Sequence, residues 1–190
     1  MPENHPGDRR ALLQQLDAYQ RRYPAEWVMA ARMRDFVYHH ERCFQRDLWV
    51  GHVTGSAWLL DRSGEQVLLT HHRKLDKWLQ LGGHADGESE IAKVALKEAR
   101  EESGITGIEL LSSDIFDLDI HLIPARNGEP SHYHYDCRFL LQCTDSEDFT
   151  VSDESHDLMW IPLDELDTRT REISMQRMAT KTPRSLTLCS

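Results

Sequence analysis

One stretch constrains this chain more than any other: GGHADGESEIAKVALKEAREESGI, residues 82–105. Two glycines open it, and apolar and charged residues then recur with the period of an α-helix. At about 100° per residue, Ile91, Ala92, Ala95 and Ala99 form one stripe, and Lys93, Lys97 and Arg100 fall on the opposite side. Ser89 is placed to cap the N-terminus and Glu90 suits its positive first turn. Gly104, with Ile105 after it, supplies a stop, so the pattern predicts a helix over 89–103. Glu98, Glu101 and Glu102 project together, at i, i+3 and i+4, from the edge of the stripe. Three carboxylates so placed repel one another, the more so when partly buried. Two arrangements relieve the conflict. Either Lys97 and Arg100 balance a solvated acidic face, or a hard divalent cation sits among the acids. Mg²⁺ prefers carboxylate oxygen and keeps waters for a phosphate.

The flanking chain alternates helix and strand. Leu12, Leu13, Leu16 and Tyr19 predict a helix over 9–23, ended by Pro24; Met29, Met33, Phe36 and Val37 predict another from Glu26 to about Cys43. Together they make residues 1–45 an N-terminal helical extension. Residues 46–180 then form the main domain, and 181–190 a loose tail. Strands are expected at Val53–Leu60, Gln66–Thr70 and Trp78–Leu81, with a turn at 61–64. Asp117–Leu122 alternates, with Leu118, Ile120 and Leu122 on one face and Asp117, Asp119 and His121 on the other. The Asn127-Gly128 pair marks a turn before a strand from His132 to about Leu141. A short strand at Met159–Ile161, a short helix from Pro162 and a last helix near 171–180 complete the pattern. The expected fold is therefore α/β (α+β), a single mixed β-sheet between helices.

Composition excludes several classes. The net charge of −10 leaves no basic stripe for a nucleic-acid polymer, so an anionic substrate needs local cations or bound metal. No segment reaches the roughly 18 apolar residues of a membrane span. The first ten residues, MPENHPGDRR, carry no apolar segment of the secretory type. Cys43, Cys137, Cys143 and Cys189 form no C-x-x-C pair, and reduced thiols in a cytoplasmic protein are the simplest reading. A homodimer is a base-rate expectation.

The order of residues in 82–105 says more than their spacing. Lys97-Glu98-Ala99-Arg100-Glu101-Glu102-Ser103-Gly104-Ile105 resembles the second half of the Nudix box, R-E-U-x-E-E-x-G-U with U aliphatic. Gly82 with Glu88 is similar to its opening, G-x5-E, and Trp78 stands where a tryptophan commonly approaches the box. Glu154 and Trp160-Ile161-Pro162-Leu163-Asp164-Glu165-Leu166 resemble the family's closing segment. The likeness runs from about Trp49 to Leu166. It departs in two places. Eight residues, not seven, separate Glu88 from Lys97, so the loop entering the helix must differ; and Lys97 replaces an arginine that can hold a glutamate through two hydrogen bonds.

The resemblance implies a Nudix fold and hydrolysis of a small-molecule diphosphate, a nucleoside diphosphate linked to another moiety, by water attack at phosphorus. It implies Glu98, Glu101 and Glu102 as ligands of Mg²⁺ or Mn²⁺, with Glu101 or Glu154 as general base. Gly82, Gly83, Glu88, Lys97 and Gly104 are then structural parts of the motif. The chemistry requires neutralised charge along two phosphates and an aligned water.

Eleven histidines are an unusual complement. His132, His134 and Asp136 share one face of a strand, His121 lies on the neighbouring strand, and His84 follows the two glycines. The expectation is that His84, His121, His132, His134 and Asp136 contact substrate. A histidine metal site and a solvated polar strand stand as the alternatives.

Two other functions compete. Gly82-Gly83-His84 with Gly87-Glu88-Ser89 is similar to the signature of isopentenyl diphosphate isomerase, but its catalytic cysteine would fall at Gly82 and the proton donor is absent. A non-catalytic Nudix module that binds a nucleotide is the other, favoured by Lys97 and the altered spacing and opposed by the retention of all three acids.

Overall fold

The computed structural model describes residues 6–73, 76–126, 128–151 and 155–183. Glu154, Asn127 and residues 184–190 of the expected tail lie outside the described residues. In chain order the elements are α1 (Pro6–Arg22), α2 (Trp27–His39), β1 (Gly51–Leu60), β2 (Gln66–His72), β3 (Lys77–Leu79), β4 (Leu81–His84), α3 (Ile91–Ser103), β5 (Ile108–Leu110), β6 (Asp117–Ile123), β7 (His132–Cys143), β8 (Ser155–Pro162) and α4 (Ile173–Lys181). All eight strands join one sheet. Its spine is β3-β2-β1-β7-β5, with β4 on β1, β6 on β7 and β8 on β2. The long β1–β7 pair is parallel and the other pairs are antiparallel, so the sheet is mixed, as expected.

Alternation along β1 and β7 divides the sheet into two unlike faces. Val53, Ala57 and Leu59 of β1 with Cys137, Phe139 and Leu141 of β7 pack in one apolar cluster beneath α1, α2 and α3. Trp58, Leu60 and Leu140 point the other way, onto Met175 and Met178 of α4. The rest of that second face, towards the start of β1 and β7, is polar.

The N-terminal helices share the sheet's own core. Leu12, Leu16, Met33, Phe36 and Val37 belong to the same buried cluster as β1 and α3. The Phe36 ring stacks on Tyr135 of β7 at 3.7 Å between centroids, and Met33 Sδ lies 3.6 Å from Cys137 Sγ. Their boundaries differ from the periodicity. The second helix begins after a 3-10 turn at Pro24–Glu26 and ends at His39, because His40 turns to extended backbone.

Two further differences concern helix ends. Ser89 does not cap α3: Glu90 holds that position without a side-chain cap, while Glu88 Oε1 accepts the Glu90 N–H at 2.9 Å. In the turn before the helix Asp86 and Gly87 both take positive φ, 50° and 92°. At the other end Gly104 closes α3 at φ 72°, as expected of a left-handed stop. After Pro162 the chain makes only a turn and a 3-10 helix at Leu166–Thr168, not the expected short α-helix.

Since Met33 is fully buried against β7, Met33→Ala should cost about 2–5 kcal/mol in urea denaturation, the usual range for a core truncation. A loss within about 0.5 kcal/mol, typical of surface positions, would show α2 to be an appendage.

Candidate active site and histidine cluster

Sheet register builds the polar face. Along the β1–β7 pair, His52 stands opposite His134, Thr54 opposite Asp136 and Ser56 opposite Arg138. On the far side of β7, His121 meets His134, Asp119 meets Asp136 and Asp117 meets Arg138. β4 extends the rows outward, with His84 beside Thr54 and Gly82 beside Ser56. Directly opposed residues share a face, so these strands carry histidines at one end and carboxylates around an arginine at the other.

The arginine end is closed. Arg138, 3% exposed, donates to Asp136 at 2.8 Å and to Asp119 and Asp117 at 3.2 and 3.3 Å. Asp136 also accepts hydrogen bonds from Thr54, Ser56 and Gln80 at 2.9, 2.7 and 3.2 Å. That carboxylate, expected at the substrate, is buried and occupied by the protein's own donors. Asp117 takes two further cations from α4, Arg177 and Lys181, each at 2.7 Å.

The histidine end is a cluster of rings. The His52 ring lies 5.1, 4.9 and 4.8 Å between centroids from those of His84, His132 and His134. His121 sits 5.4 Å from His134 and leans on Asp119 at 3.2 Å. Three of the five residues expected at a substrate, His84, His132 and His134, are thus gathered around a fourth histidine, His52, which sequence reading missed. The signal was the alternation His52, Thr54, Ser56 one residue before the expected start of the strand. Burial and then the neighbouring imidazoles push His52 down to about 4 and His134 down to about 2. Burial, then Arg46, lowers His84 as well. His52 and His134 are therefore neutral at ordinary pH and keep their lone pairs. Beside His121, a cleft of about 470 Å³ is lined by Asp119, Arg171, Glu172 and Arg177 among others, a volume suited to a small molecule.

The acids of α3 lie against the opposite side of the Gly82–Gly83 strand, and glycine is what admits them. A Cβ on Gly55 would come within 2.9 Å of Ile91, and one on Gly83 within 2.5 Å of the Glu98 carboxylate. Bare backbone at this Gly55–Gly83 rung lets α3 settle directly on the sheet. Glu102 is buried, and its Oε1 accepts the Gly82 N–H at 2.8 Å, tying the helix to β4. Lys97 Nζ sits 3.0 Å from both Glu98 Oε1 and Glu101 Oε2. Among the described residues, the group of three candidate ligands that lies close together is His52, His132 and His134, one nitrogen of each within 4.8 Å of the others. Sequence reading also missed Arg46, which pairs with Asp86 in the turn after β4 and whose charge reaches Glu98.

Comparison with known proteins agrees with this architecture. The NUDIX domain profile matches residues 51–181. Among solved structures, a NUDIX-family hydrolase from Clostridium perfringens is similar at 23% identity and TM-score 0.54, over 69% of this chain and 95% of that one. An Ap4A hydrolase from C. elegans is similar at 18% identity and TM-score 0.54, over 68% and 93%. A MutT NUDIX hydrolase from Burkholderia pseudomallei is similar at 21% identity and TM-score 0.52, over 70% and 98%. At these identities the likeness is one of fold. No curated protein matches the chain. No helix among the described residues is long and apolar enough to cross a membrane.

Because Asp117 is fully buried between three cations, Asp117→Ala should destabilise the protein by about 3–5 kcal/mol at neutral pH, the usual penalty for stranding buried charge. Urea midpoints measure it. A loss under about 1 kcal/mol would mean that solvent reaches the cluster and screens it.

Proposed function

This chain belongs to the Nudix family of pyrophosphohydrolases, and we propose that it hydrolyses the diphosphate linkage of a nucleoside diphosphate derivative with Mg²⁺ or Mn²⁺ held by Glu98, Glu101 and Glu102. One observation carries the reading. The Glu98 and Glu101 carboxylates straddle a single positive charge, the Lys97 ammonium, at 3.0 Å each, beside the bare backbone of Gly83. Two oxygens that converge on an ammonium fit a hard cation, whose preferred partners are carboxylates and water.

The metal, when bound, neutralises adjacent phosphate charges and lowers the pKa of a coordinated water. The chain's own residues do the rest. Glu102 holds the Gly82 amide and so fixes the strand against which a diphosphate lies. Glu101 is the exposed member of the trio, 60% by side chain, and is the base with access to an attacking water. Arg46, ion-paired with Asp86 in the turn after β4, brings a guanidinium to the turn that precedes α3.

The same ammonium favours a second reading. Lys97 neutralises two of the acids unaided, as a non-catalytic nucleotide-binding module would require. Turnover separates the two. Incubated with a panel of nucleoside diphosphate derivatives, the protein should release products only with Mg²⁺ or Mn²⁺. Glu101→Gln should lower kcat about 10²–10⁴-fold, the range of a lost general base, at an unchanged urea midpoint. Wild-type turnover by that variant removes Glu101 from the mechanism. Absence of turnover across the panel favours the binding module.

A further inference from the structure

Four imidazoles meet where β4, β1 and β7 run side by side, and the hydrolytic chemistry uses none of them. His52 and His132 are 2% and 6% exposed, and His84 and His134 are half-buried. Both nitrogens of His52 and Nε2 of His134 are buried without a hydrogen-bond partner of ordinary geometry, His52 having only a loose approach to the Leu48 backbone. Buried polar atoms are normally satisfied, and polar atoms left over together in one place point to something that satisfies them together. One nitrogen each from His52, His132 and His134 lies within 4.8 Å of the others. Ligands at about 2.0–2.1 Å from a tetrahedral ion stand roughly 3.3–3.4 Å apart, so the rings need to draw in by about 1.5 Å at most.

The surroundings already orient one of these rings. His132 Nδ1 lies 2.9 Å from the Pro130 carbonyl, which can only accept, so Nδ1 carries the proton and Nε2 the lone pair. Imidazoles have been concentrated here without a carboxylate among them. Asp136, two residues from His134 on the same strand face, spends its oxygens on Thr54, Ser56, Gln80 and Arg138. An all-nitrogen donor set is poor for Mg²⁺, which prefers oxygen and an octahedron of waters, and good for borderline divalent ions.

We propose that His52, His84, His132 and His134 form a binding site for a divalent transition-metal ion of the zinc class, separate from the glutamates of α3. A bound ion would link side chains of β4, β1 and β7. Solvent reaches it through the half-buried His84 and His134.

The test reads binding, not turnover, so its failure is distinct from a failure of the hydrolase reading. Full-length protein is stripped with a chelator and titrated with Zn²⁺ by calorimetry and with Co²⁺ by visible absorption. The expected result is one ion per chain, with the intense Co²⁺ bands of low-coordinate nitrogen ligation, displaced by Zn²⁺ and unaffected by millimolar Mg²⁺. His52→Ala and, should that variant fold poorly, His84→Ala each weaken Zn²⁺ binding about 100-fold or more, since even outer-shell partners of a metal ligand contribute about 10–100-fold. Glu98→Gln leaves Zn²⁺ binding within a factor of about 3, because that side chain is no part of the site. Three results overturn the proposal: no Zn²⁺ binding to the wild type, binding that survives both histidine variants, or binding abolished by Glu98→Gln.

Discussion

Arg138 carries a charge in a place that would reject it unpaired. The guanidinium is 3% exposed and is held by Asp117, Asp119 and Asp136, with Arg177 and Lys181 returning the excess negative charge to balance on Asp117. Breaking such a group costs far more than forming it contributes, because a lone buried ion has no screening. The consequence is geometric. Asp117, Arg138 and Ser56 must lie side by side on one face of β6, β7 and β1, and a slip of one residue in any pair would turn a charge into the apolar layer beneath α2 and α3. The lock also reaches outward: Lys181 of α4 meets Tyr19 of α1 and Glu26 at 2.7 Å, joining the two ends of the chain across the sheet.

With that register set, the remainder of the polar face follows at intervals of two residues. Asp136 organises the next row through Thr54 and Ser56, and the row beyond it consists of histidines. The two sides of the short β4 then serve different chemistry. Gly83 faces Glu98 and lets the acids of α3 lie on backbone. Gly82 allows β4 to close on Ser56, which a Cβ would meet at 2.3 Å, and His84 stands among the imidazoles. The carboxylates of α3 and the cluster of imidazoles thereby lie on opposite sides of one layer of sheet.

Much of this was legible before any coordinates. The acids, the Gly-Gly pair and the stop at Gly104 are local in sequence, and a helix places residues three and four apart on the same side regardless of context. The mixed sheet between helices and the Nudix membership followed from those residues. Reading Ser89 as the cap failed because the helix begins only at Ile91, with Glu90 in the capping position and the Glu88 carboxylate accepting the Glu90 N–H. Treating Asp136 as exposed to substrate overlooked Arg138, two residues along on the same face, whose burial claims that carboxylate.

Sequence alone determined that Glu98, Glu101 and Glu102 sit three and four residues apart on one helix, because the helical repeat is a property of the backbone. It determined too that His132, His134 and Asp136 share a face, because a strand's alternation is equally local. Only the folded sheet decided that His52 and His84 join them. Their meeting depends on a parallel pairing of β1 with β7 and on β4 lying beside β1, contacts between strands far apart in the chain. No periodicity within a strand encodes which neighbour it will have. That choice is made by the buried charges and apolar layers that only one register can satisfy together.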